Sequence, residues 1–313
     1  MGVRGLPVAS YPAPVATPQS GIFALGTMSH AYLELDRRAG VEPRDLIGRV
    51  ASLREPRTTI GGVNLVAGFR PELWASVAPD GVPAGLSGFN EPLVGRDGYT
   101  LPATQHDVVV WLSGASYDVL FDVDRGIVSW LSGQASVAHE IVGWPYHRDR
   151  DLTGFEDGIE NPTLAEATQV ATIGAGAPGE GGSVLLLQQW EHDGDAWEGL
   201  PVEQQEQAIG RRKATGEELD NKPDTSHVAR TDQDEFGKIF RRNIGYGSLT
   251  RHGTIFVGFS QDRARLDAMN RSMIGSAGAP RDRLTSFTRP LTGAYYFVPS
   301  SEALTAVASP DSD

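Results

Sequence analysis

The sequence predicts an α+β fold in which antiparallel sheets carry packed helices. Strand-length apolar runs alternate with segments of helical spacing along all 313 residues, a length that suggests two domains. Two of the strand runs, residues 239–244 and 254–259, are joined by a short glycine-containing turn, as in a hairpin. The order of elements is similar in two halves that divide near Pro145, which indicates a duplicated unit and disfavours a long parallel sheet.

In the first half the elements follow the order strand–helix–strand, twice over. Residues 44–53 place Leu46, Val50 and Leu53 on one stripe, and Pro71 suits the first turn of a helix. The predicted strands are 21–26, 31–35, 63–68, 107–113 and 136–146, and the predicted helices are 44–53, 71–77 and 116–131. Residues 1–19 contain four prolines and are predicted to form an extended arm.

The second half has the same alternation around a glycine-rich loop at 174–182. Glu203 supports the first turn of one predicted helix. The predicted strands are 184–190, 239–244, 254–259 and 293–299, and the predicted helices are 201–209 and 262–274. Residues 300–313 are small, polar and acidic, and we expect them to be frayed.

Composition excludes several classes of protein. The formal net charge is −13, so the general field disfavours nucleic acid and anionic membranes as partners. The chain has no cysteine, which excludes disulfides, zinc–thiolate sites, thiolate-ligated haem and Cys-ligated iron–sulfur clusters. No apolar run reaches the length of a membrane span, and the N-terminal residues show no signal-peptide pattern, so we expect a cytoplasmic protein.

The first candidate catalytic feature is a carboxylate on a glycine-flanked turn. Asp157 lies in segment 154–162, which reads Gly-Phe-Glu-Asp-Gly-Ile-Glu-Asn-Pro. Gly158 permits close approach of a flat ligand and backbone angles closed to other residues. The alternative is a simple Asp-Gly turn closed by Asn161-Pro162, and the residues alone leave both interpretations open.

An imidazole and a guanidinium follow further along the chain. His227 comes after a stretch rich in helix and strand breakers, from which a neutral imidazole can reach an axial iron position. Arg241 and Arg242 are adjacent, so in a strand they point to opposite faces and at most one enters a given pocket. A packed histidine and two surface arginines are the alternatives. Taken with Asp157, these groups suit a haem that activates peroxide.

Other motifs give weaker signals. None of the seven histidines has metal-ligand spacing on a helix, so a mononuclear zinc or non-haem iron site is not indicated. The basic segment 210–213 fits either cations at a helix C-terminus or an anion site for carboxylates such as haem propionates. The chain lacks a phosphate loop, a Gly-x-Ser-x-Gly elbow and a Rossmann fingerprint.

These segments resemble the signature of the dye-decolorizing peroxidase family, in its shorter, cytoplasmic B-type branch. Segment 154–162 is similar to the family's G-F-x-D-G-T-E-N-P turn, 226–228 to its S-H-[VI] segment, and 241–247 to its R-x-N-x-P-[FY]-G strand. Further similar segments are 19–26, 195–200, 209–213, 282–284 and 292–297. The chain departs from the family at three positions: Ile159 stands where threonine is usual, Gly245 where proline is common, and Gln189 replaces a frequent lysine.

The resemblance implies two ferredoxin-like halves, residues 1–144 and 145–313, with one haem b per chain in the second. It implies that His227 is the proximal iron ligand and that Asp282 accepts the other imidazole N–H, raising the ligand's donor strength. It also implies catalytic roles for Asp157, Arg241 and Asn243 on the distal face. The residues implied to bind the cofactor are His227, Gly158, Ile159, Glu160, Gln188, Arg241 and Asp282.

The implied activity is a haem peroxidase that reduces hydrogen peroxide and oxidises dyes and phenolic or other aromatic reductants through a ferryl intermediate. Two alternatives stay open: non-catalytic haem handling or iron release, which uses the same His227, and a haem-free structural or shell-cargo protein. The resemblance also implies a homo-oligomer, and it gives packaging in a nanocompartment shell as a further hypothesis. Trp190, Trp197, Tyr246 and Tyr295 are candidates for electron relay, although buried aromatic residues more often form core.

Overall fold

Eight antiparallel strands close into a barrel that both halves of the chain build. The structure is a computed structural model that describes residues 16–54, 62–147 and 150–308. The barrel strands run in the order Ser183–His192, Ala294–Val298, Asn64–Phe69, Val108–Gly114, Ser29–Arg37, Ala135–Trp144, Phe240–Gly247 and His252–Ser260. Pairing of the last strand with the first closes the ring. A short strand, Thr288–Pro290, extends the sheet beside Ser183–His192. The fold is α+β, as predicted.

The first half contributes four barrel strands and two long helices in the order β-α-β-β-α-β. A two-stranded ribbon and a short helix lie between them. The elements are β1 (Ser29–Arg37), α1 (Pro43–Ala51), β2 (Asn64–Phe69), α2 (Pro71–Ala75), β3 (Leu93–Val94), β4 (Thr100–Leu101), β5 (Val108–Gly114), α3 (Tyr117–Leu131) and β6 (Ala135–Trp144).

The second half repeats that order and adds several short helices. The elements are α4 (Leu164–Ala171), β7 (Ser183–His192), α5 (Gly194–Glu198), α6 (Val202–Ile209), α7 (His227–Arg230), α8 (Gln233–Phe236), β8 (Phe240–Gly247), β9 (His252–Ser260), α9 (Arg263–Met273), β10 (Thr288–Pro290), β11 (Ala294–Val298) and α10 (Ser301–Val307). The repeated β-α-β-β-α-β order is that of ferredoxin-like units. The exact boundary between residues 144 and 145 stays a prediction.

Strand alternation separates the barrel interior from its outer faces. Tyr32, Trp111, Leu187 and Val257 belong to the buried cluster inside the barrel. A second buried cluster lies between the first-half strands and helices α1, α2 and α3. The outer face of β7, β9 and β8 instead borders a large cavity. One side of each second-half strand therefore packs in the barrel, and the other is available for a site.

Two of the element predictions are wrong. Residues 21–26 form no strand; Ser20–Phe23 is a 3₁₀-helix instead. The Gln19 side chain ties this segment to β2, donating to the Ala67 carbonyl at 2.9 Å and accepting from the Ala67 N–H at 2.8 Å. The predicted frayed tail contains α10, which Ser300 caps by accepting from the Ala303 N–H.

Helix α10 is stabilised by packing that its polar sequence does not reveal. Ala303, Leu304 and Val307 contact the first-half core. Residues 309–313 of the predicted tail, and most of the predicted arm at 1–19, lie outside the described residues. Among the described helices, none is both long and apolar enough to cross a membrane.

Candidate active site

A cavity with about 1190 Å³ of atom-free space, including its open mouth, lies against the outer face of β7, β8 and β9. All its lining residues lie between Asp151 and Thr288, in the second half of the chain. Strand β7 contributes Leu186, Gln188, Trp190 and His192, and most of the remaining wall comes from β8, β9, α7, α9 and the 151–160 loop.

Asp157 is held in this cavity by three hydrogen bonds from strand β8. Arg241 Nη1 donates to Asp157 Oδ1 at 2.6 Å, and the Asn243 N–H donates to Asp157 Oδ2 at 3.0 Å. Asn243 Nδ2 donates to Oδ1 at the longer distance of 3.4 Å. The sequence motifs that supplied these three residues are therefore brought together. The carboxylate and the guanidinium form a part-buried ion pair at the cavity wall.

The two adjacent arginines point to opposite faces of β8, as strand alternation predicts. Arg241 lines the cavity, whereas Arg242 Nη2 donates to the Ile22 carbonyl at 2.6 Å and its guanidinium packs over the Trp111 ring. Burial lowers the pKa of Arg242 to about 10. Arg242 is therefore a structural residue on the barrel-interior face of β8 and does not line the cavity.

His227 is the first residue of α7 and lines the cavity. Ser226 caps this short helix by accepting from the Ala229 N–H. His227 Nδ1 lies 2.7 Å from Asp282 Oδ2, and Asp282 is 1% exposed. Burial lowers the pKa of His227, but the charge and hydrogen bond of Asp282 outweigh it and raise the pKa above its ordinary value. The bond to Nδ1 leaves Nε2 for a ligand.

The other predicted cofactor residues fall in different places. Ile159, Glu160 and Gln188 line the cavity. Glu160 forms an ion pair with Arg211, the member of the basic 210–213 segment that lines the cavity. Gly158 does not line the cavity; its φ of +77° forms the turn that precedes Ile159. Contacts of these residues with a cofactor stay predictions.

Several lining residues were not identified from the sequence. Asp151 lies on the same loop as Asp157, and its Oδ1 accepts from the Thr153 N–H at 2.8 Å. Burial raises the pKa of Asp151 to about 6; its hydrogen bonds from Thr153 oppose the shift and the charge of Asp157 adds to it. His192 also lines the cavity, with Nε2 3.2 Å from Thr254 Oγ1, and burial lowers its pKa to about 4.

The walls fit a flat, largely apolar group with an iron at its centre. Helix α9 presents Leu266, Met269 and Met273 to the cavity at helical spacing, a stripe that the sequence does contain. The Phe256 ring and Leu266, which both line the cavity, lie over Gly258 of β9, so this part of the wall is apolar as well. Gln188 Nε2 is buried and has no hydrogen-bond partner in the described structure. An unpaired buried donor is costly, which indicates that a bound group completes the site.

Comparisons with known proteins agree with this site. Residues 148–303 match the family model described as Dyp-type peroxidase, C-terminal. The chain is 33% identical to a dye-decolorizing peroxidase from Brevibacterium linens over 87% of this chain and 78% of the relative, and 32% identical to one from Rhodococcus erythropolis (strain PR4) over 94% and 88%.

Solved structures give the same result for the fold. A variant of DypB from Rhodococcus jostii RHA1, solved in complex with heme, superposes with a TM-score of 0.84 at 32% identity, covering 94% of this chain and all of that one. A dye-decolorizing peroxidase from Bacteroides thetaiotaomicron superposes with a TM-score of 0.84 at 26% identity, covering 94% and 99%. Sequence, architecture and cavity thus agree, and the chain belongs to the dye-decolorizing peroxidase family.

Proposed function

We propose that this protein is a haem-dependent peroxidase that reduces hydrogen peroxide and oxidises dyes and phenolic or other aromatic reductants. One observation carries the proposal: a single cavity contains both an imidazole backed by a buried carboxylate and a carboxylate–guanidinium pair on different elements. The first arrangement suits an axial iron ligand, and the second suits acid–base work on a bound peroxide.

Haem b, one per chain, is the proposed cofactor, with His227 Nε2 as its iron ligand. Asp282 would hold the imidazole in one tautomer and strengthen its donor character through the Nδ1 bond. The apolar stripe of α9 would contact the macrocycle, and Gln188 Nε2 would supply a donor. When bound, haem supplies the iron at which the O–O bond is cleaved and stores the oxidising equivalents.

Proton movement is assigned to the Asp157–Arg241 pair. A peroxide in the cavity would give its proton to Asp157, and the same carboxyl group would return it to the oxygen that leaves as water. Arg241 stays charged throughout and donates where negative charge develops. The Asn243 N–H fixes Asp157 Oδ2, so the carboxylate needs little reorganisation before transfer.

The alternative of non-catalytic haem handling requires only His227 and the apolar walls. The part-buried Asp157–Arg241 pair favours the peroxidase, because desolvating two charges has no value for simple retention of an apolar cofactor. An absorption spectrum of the purified protein, recorded before and after adding hydrogen peroxide, tests both ideas. A Soret band that changes within the first turnover is expected. A haem spectrum unchanged by peroxide would support the handling role, and lack of any haem-binding capacity would rule out both.

The cellular location and the assembly of the protein are also proposed from the family resemblance. We propose a cytoplasmic location and a homo-oligomeric assembly, and we carry packaging in a nanocompartment shell as a further prediction. Sedimentation analysis of the purified protein tests the assembly. Co-purification with a shell protein from the native source tests the packaging.

A further inference from the structure

We infer that the cavity mouth selects cationic aromatic reductants, which bind on a mouth shelf formed by Glu156, Ile159 and Gly216. This inference rests on the proposed peroxidase function and adds a substrate class to it. It requires three features together: an apolar surface for a ring, an unpaired carboxylate beside it, and an excess of negative charge around the opening. The described residues provide all three.

The apolar part of the mouth shelf is Ile159, whose side chain lines the cavity yet is 39% exposed. Gly216 lies directly beneath the tips of Ile159 and Glu156. A β-carbon at Gly216 would lie 2.9 Å from Ile159 Cδ1 and 3.3 Å from Glu156 Oε2, so both tips border the space above that glycine. The φ of Gly216 is +74°, a conformation that other residues rarely adopt. The Gly216 backbone therefore supports both tips at the cavity mouth and leaves no room for a side chain of its own.

Glu156 supplies the unpaired carboxylate. It is exposed, lines the cavity, and has no cation within ion-pair distance among the described residues. The nearby basic groups are engaged elsewhere. Arg211 contacts Glu160, Glu218 and the Gly216 carbonyl. Arg150 donates to the Gly154 carbonyl, and Lys213 to Gln205 Oε1.

The cavity lining as a whole is also negatively charged, like Glu156. Its lining contains four carboxylates and two guanidiniums. The carboxylates are Asp151, Glu156, Asp157 and Glu160, and the guanidiniums are Arg211 and Arg241. Asp157 and Glu160 are each paired with one of those arginines. The net charge of −13 adds a long-range field of the same sign, which raises the encounter rate of cations and lowers that of anions.

A ring bearing an ammonium group matches this shelf. Its apolar face would lie against Ile159 and its charged nitrogen would donate to Glu156. An anionic reductant of the same shape would place its carboxylate beside Glu156 without a described cation to offset it. Such an ion pair is partly exposed, so its contribution is modest and falls with ionic strength.

Three phenols with the same ring and different tails provide the test: tyramine is cationic, tyrosol is neutral and 4-hydroxyphenylacetate is anionic. Their oxidation by the holoenzyme and hydrogen peroxide is measured as kcat/KM at low and high ionic strength. The expected order is tyramine, tyrosol, 4-hydroxyphenylacetate, and salt should lower the first value and raise the last. Equal values in wild type, or the reverse order, would overturn the inference.

Substitutions test whether the preference for cationic phenols arises at the mouth shelf. Glu156→Gln should lower kcat/KM for tyramine about three-fold, the size expected of one exposed ion pair, and should lower the value for neutral tyrosol less. Ile159→Ser should lower the values for all three phenols together. Glu217→Gln is the matched control, because Glu217 is a neighbouring carboxylate that does not line the cavity. An equal effect of Glu156→Gln and Glu217→Gln on tyramine would show that only the general field acts.

A binding measurement separates this inference from the proposed function. Phenethylammonium and phenylacetate are not phenols and need no turnover, so their binding to the protein is followed by saturation-transfer NMR. Preferential binding of phenethylammonium that is lost in Glu156→Gln supports the shelf whether or not the protein turns over peroxide. Absence of that preference rejects the shelf while leaving a measured peroxidase activity intact.

Discussion

Asn161 and Arg241 are joined by a reciprocal pair of hydrogen bonds. Asn161 Nδ2 donates to the Arg241 carbonyl at 2.8 Å, and the Arg241 N–H donates to Asn161 Oδ1 at 3.0 Å. On its other edge β8 pairs with β9, and β6 reaches only the far end of β8. The carboxamide therefore occupies an open strand edge as a neighbouring strand would. It ties the loop that carries Asp157 to the strand that carries Arg241.

The first prediction is that Asn161→Ala loosens this connection. Two backbone groups lose their partners, so we expect the free energy of unfolding to fall by about 1–2 kcal/mol. The step in which peroxide changes the haem spectrum should slow about ten-fold while haem is retained, because Asp157 is less well positioned. Denaturant titration and stopped-flow mixing measure the two effects. A destabilised variant with the wild-type peroxide rate would show that Asp157 is positioned without Asn161.

The second prediction is that His227→Ala abolishes stable haem binding or replaces the axial ligand. The reason is that His227 has a buried carboxylate on Nδ1 and a free Nε2 at the cavity. Haem occupancy after desalting and the ferric spectrum are the measurements. His192→Ala is the control, since that imidazole lines the same cavity but has Nε2 near Thr254. Loss of haem from the His192 variant alone would reverse the assignment.

The third prediction concerns Arg241 and Asp157. Arg241→Leu should slow the first reaction with peroxide by about 100-fold or more, the size typical of losing one preorganised donor. Asp157→Ala should keep haem and slow the same step less, and the double variant should be slowest without being additive. Stopped-flow spectra with varied peroxide concentration give the rates.

Arg242→Leu is the control for strand register. It removes a guanidinium from the adjacent position, but that group contacts Ile22 and Trp111 on the opposite face. It should lower stability and leave the peroxide rate close to wild type. Equal kinetic defects for the two arginine variants would contradict the placement of Arg241. If Asp157→Ala loses haem but the haem that remains reacts with peroxide at the wild-type rate, the 154–162 turn only supports haem binding and Asp157 does not transfer the proton.

Local sequence rules and the family motifs were sufficient to predict the central residues of the site. Strand alternation alone separates Arg241 from Arg242, and the family motifs supplied Asp157, Asn243 and His227. The α9 stripe was also visible as helical periodicity. Helix α4 was missed although Thr163 and Glu166 form a capping box, which is a sequence-level start signal.

The rest depended on contacts between distant segments. Asp151 and His192 carry no local mark of function; they reach the cavity because the 151–160 loop and the end of β7 border it. The 3₁₀-helix at Ser20–Phe23 has strand-like composition, and a long-range side-chain bond from Gln19 decides its geometry. Helix α10 forms because the first-half core offers an apolar surface. Tertiary packing overrides local propensity in each case.

The fourth prediction uses an ionisable pair inside the barrel, away from the cavity. His139 Nδ1 lies 3.0 Å from Glu34 Oε2, and Glu34 also accepts from the Tyr296 hydroxyl at 2.6 Å. The hydrogen bond to Glu34, assisted by its charge and by Gln189, raises the pKa of His139 although burial opposes the shift.

A raised folded-state pKa gives a defined pH dependence. The stabilisation from protonated His139 is fully present below about pH 6.5, the pKa of unfolded histidine, and is lost as pH rises through the folded-state value. We therefore expect His139→Leu to cost about 1 kcal/mol more at pH 6 than at pH 9 in denaturant titrations, a size suited to a partly exposed charge-assisted hydrogen bond. Glu34→Gln should remove the same pH-dependent part, because it removes the charge that favours the imidazolium. If His139→Leu costs the same at both pH values, the imidazole is neutral in the folded protein throughout this range, and its bond to Glu34 is an ordinary one.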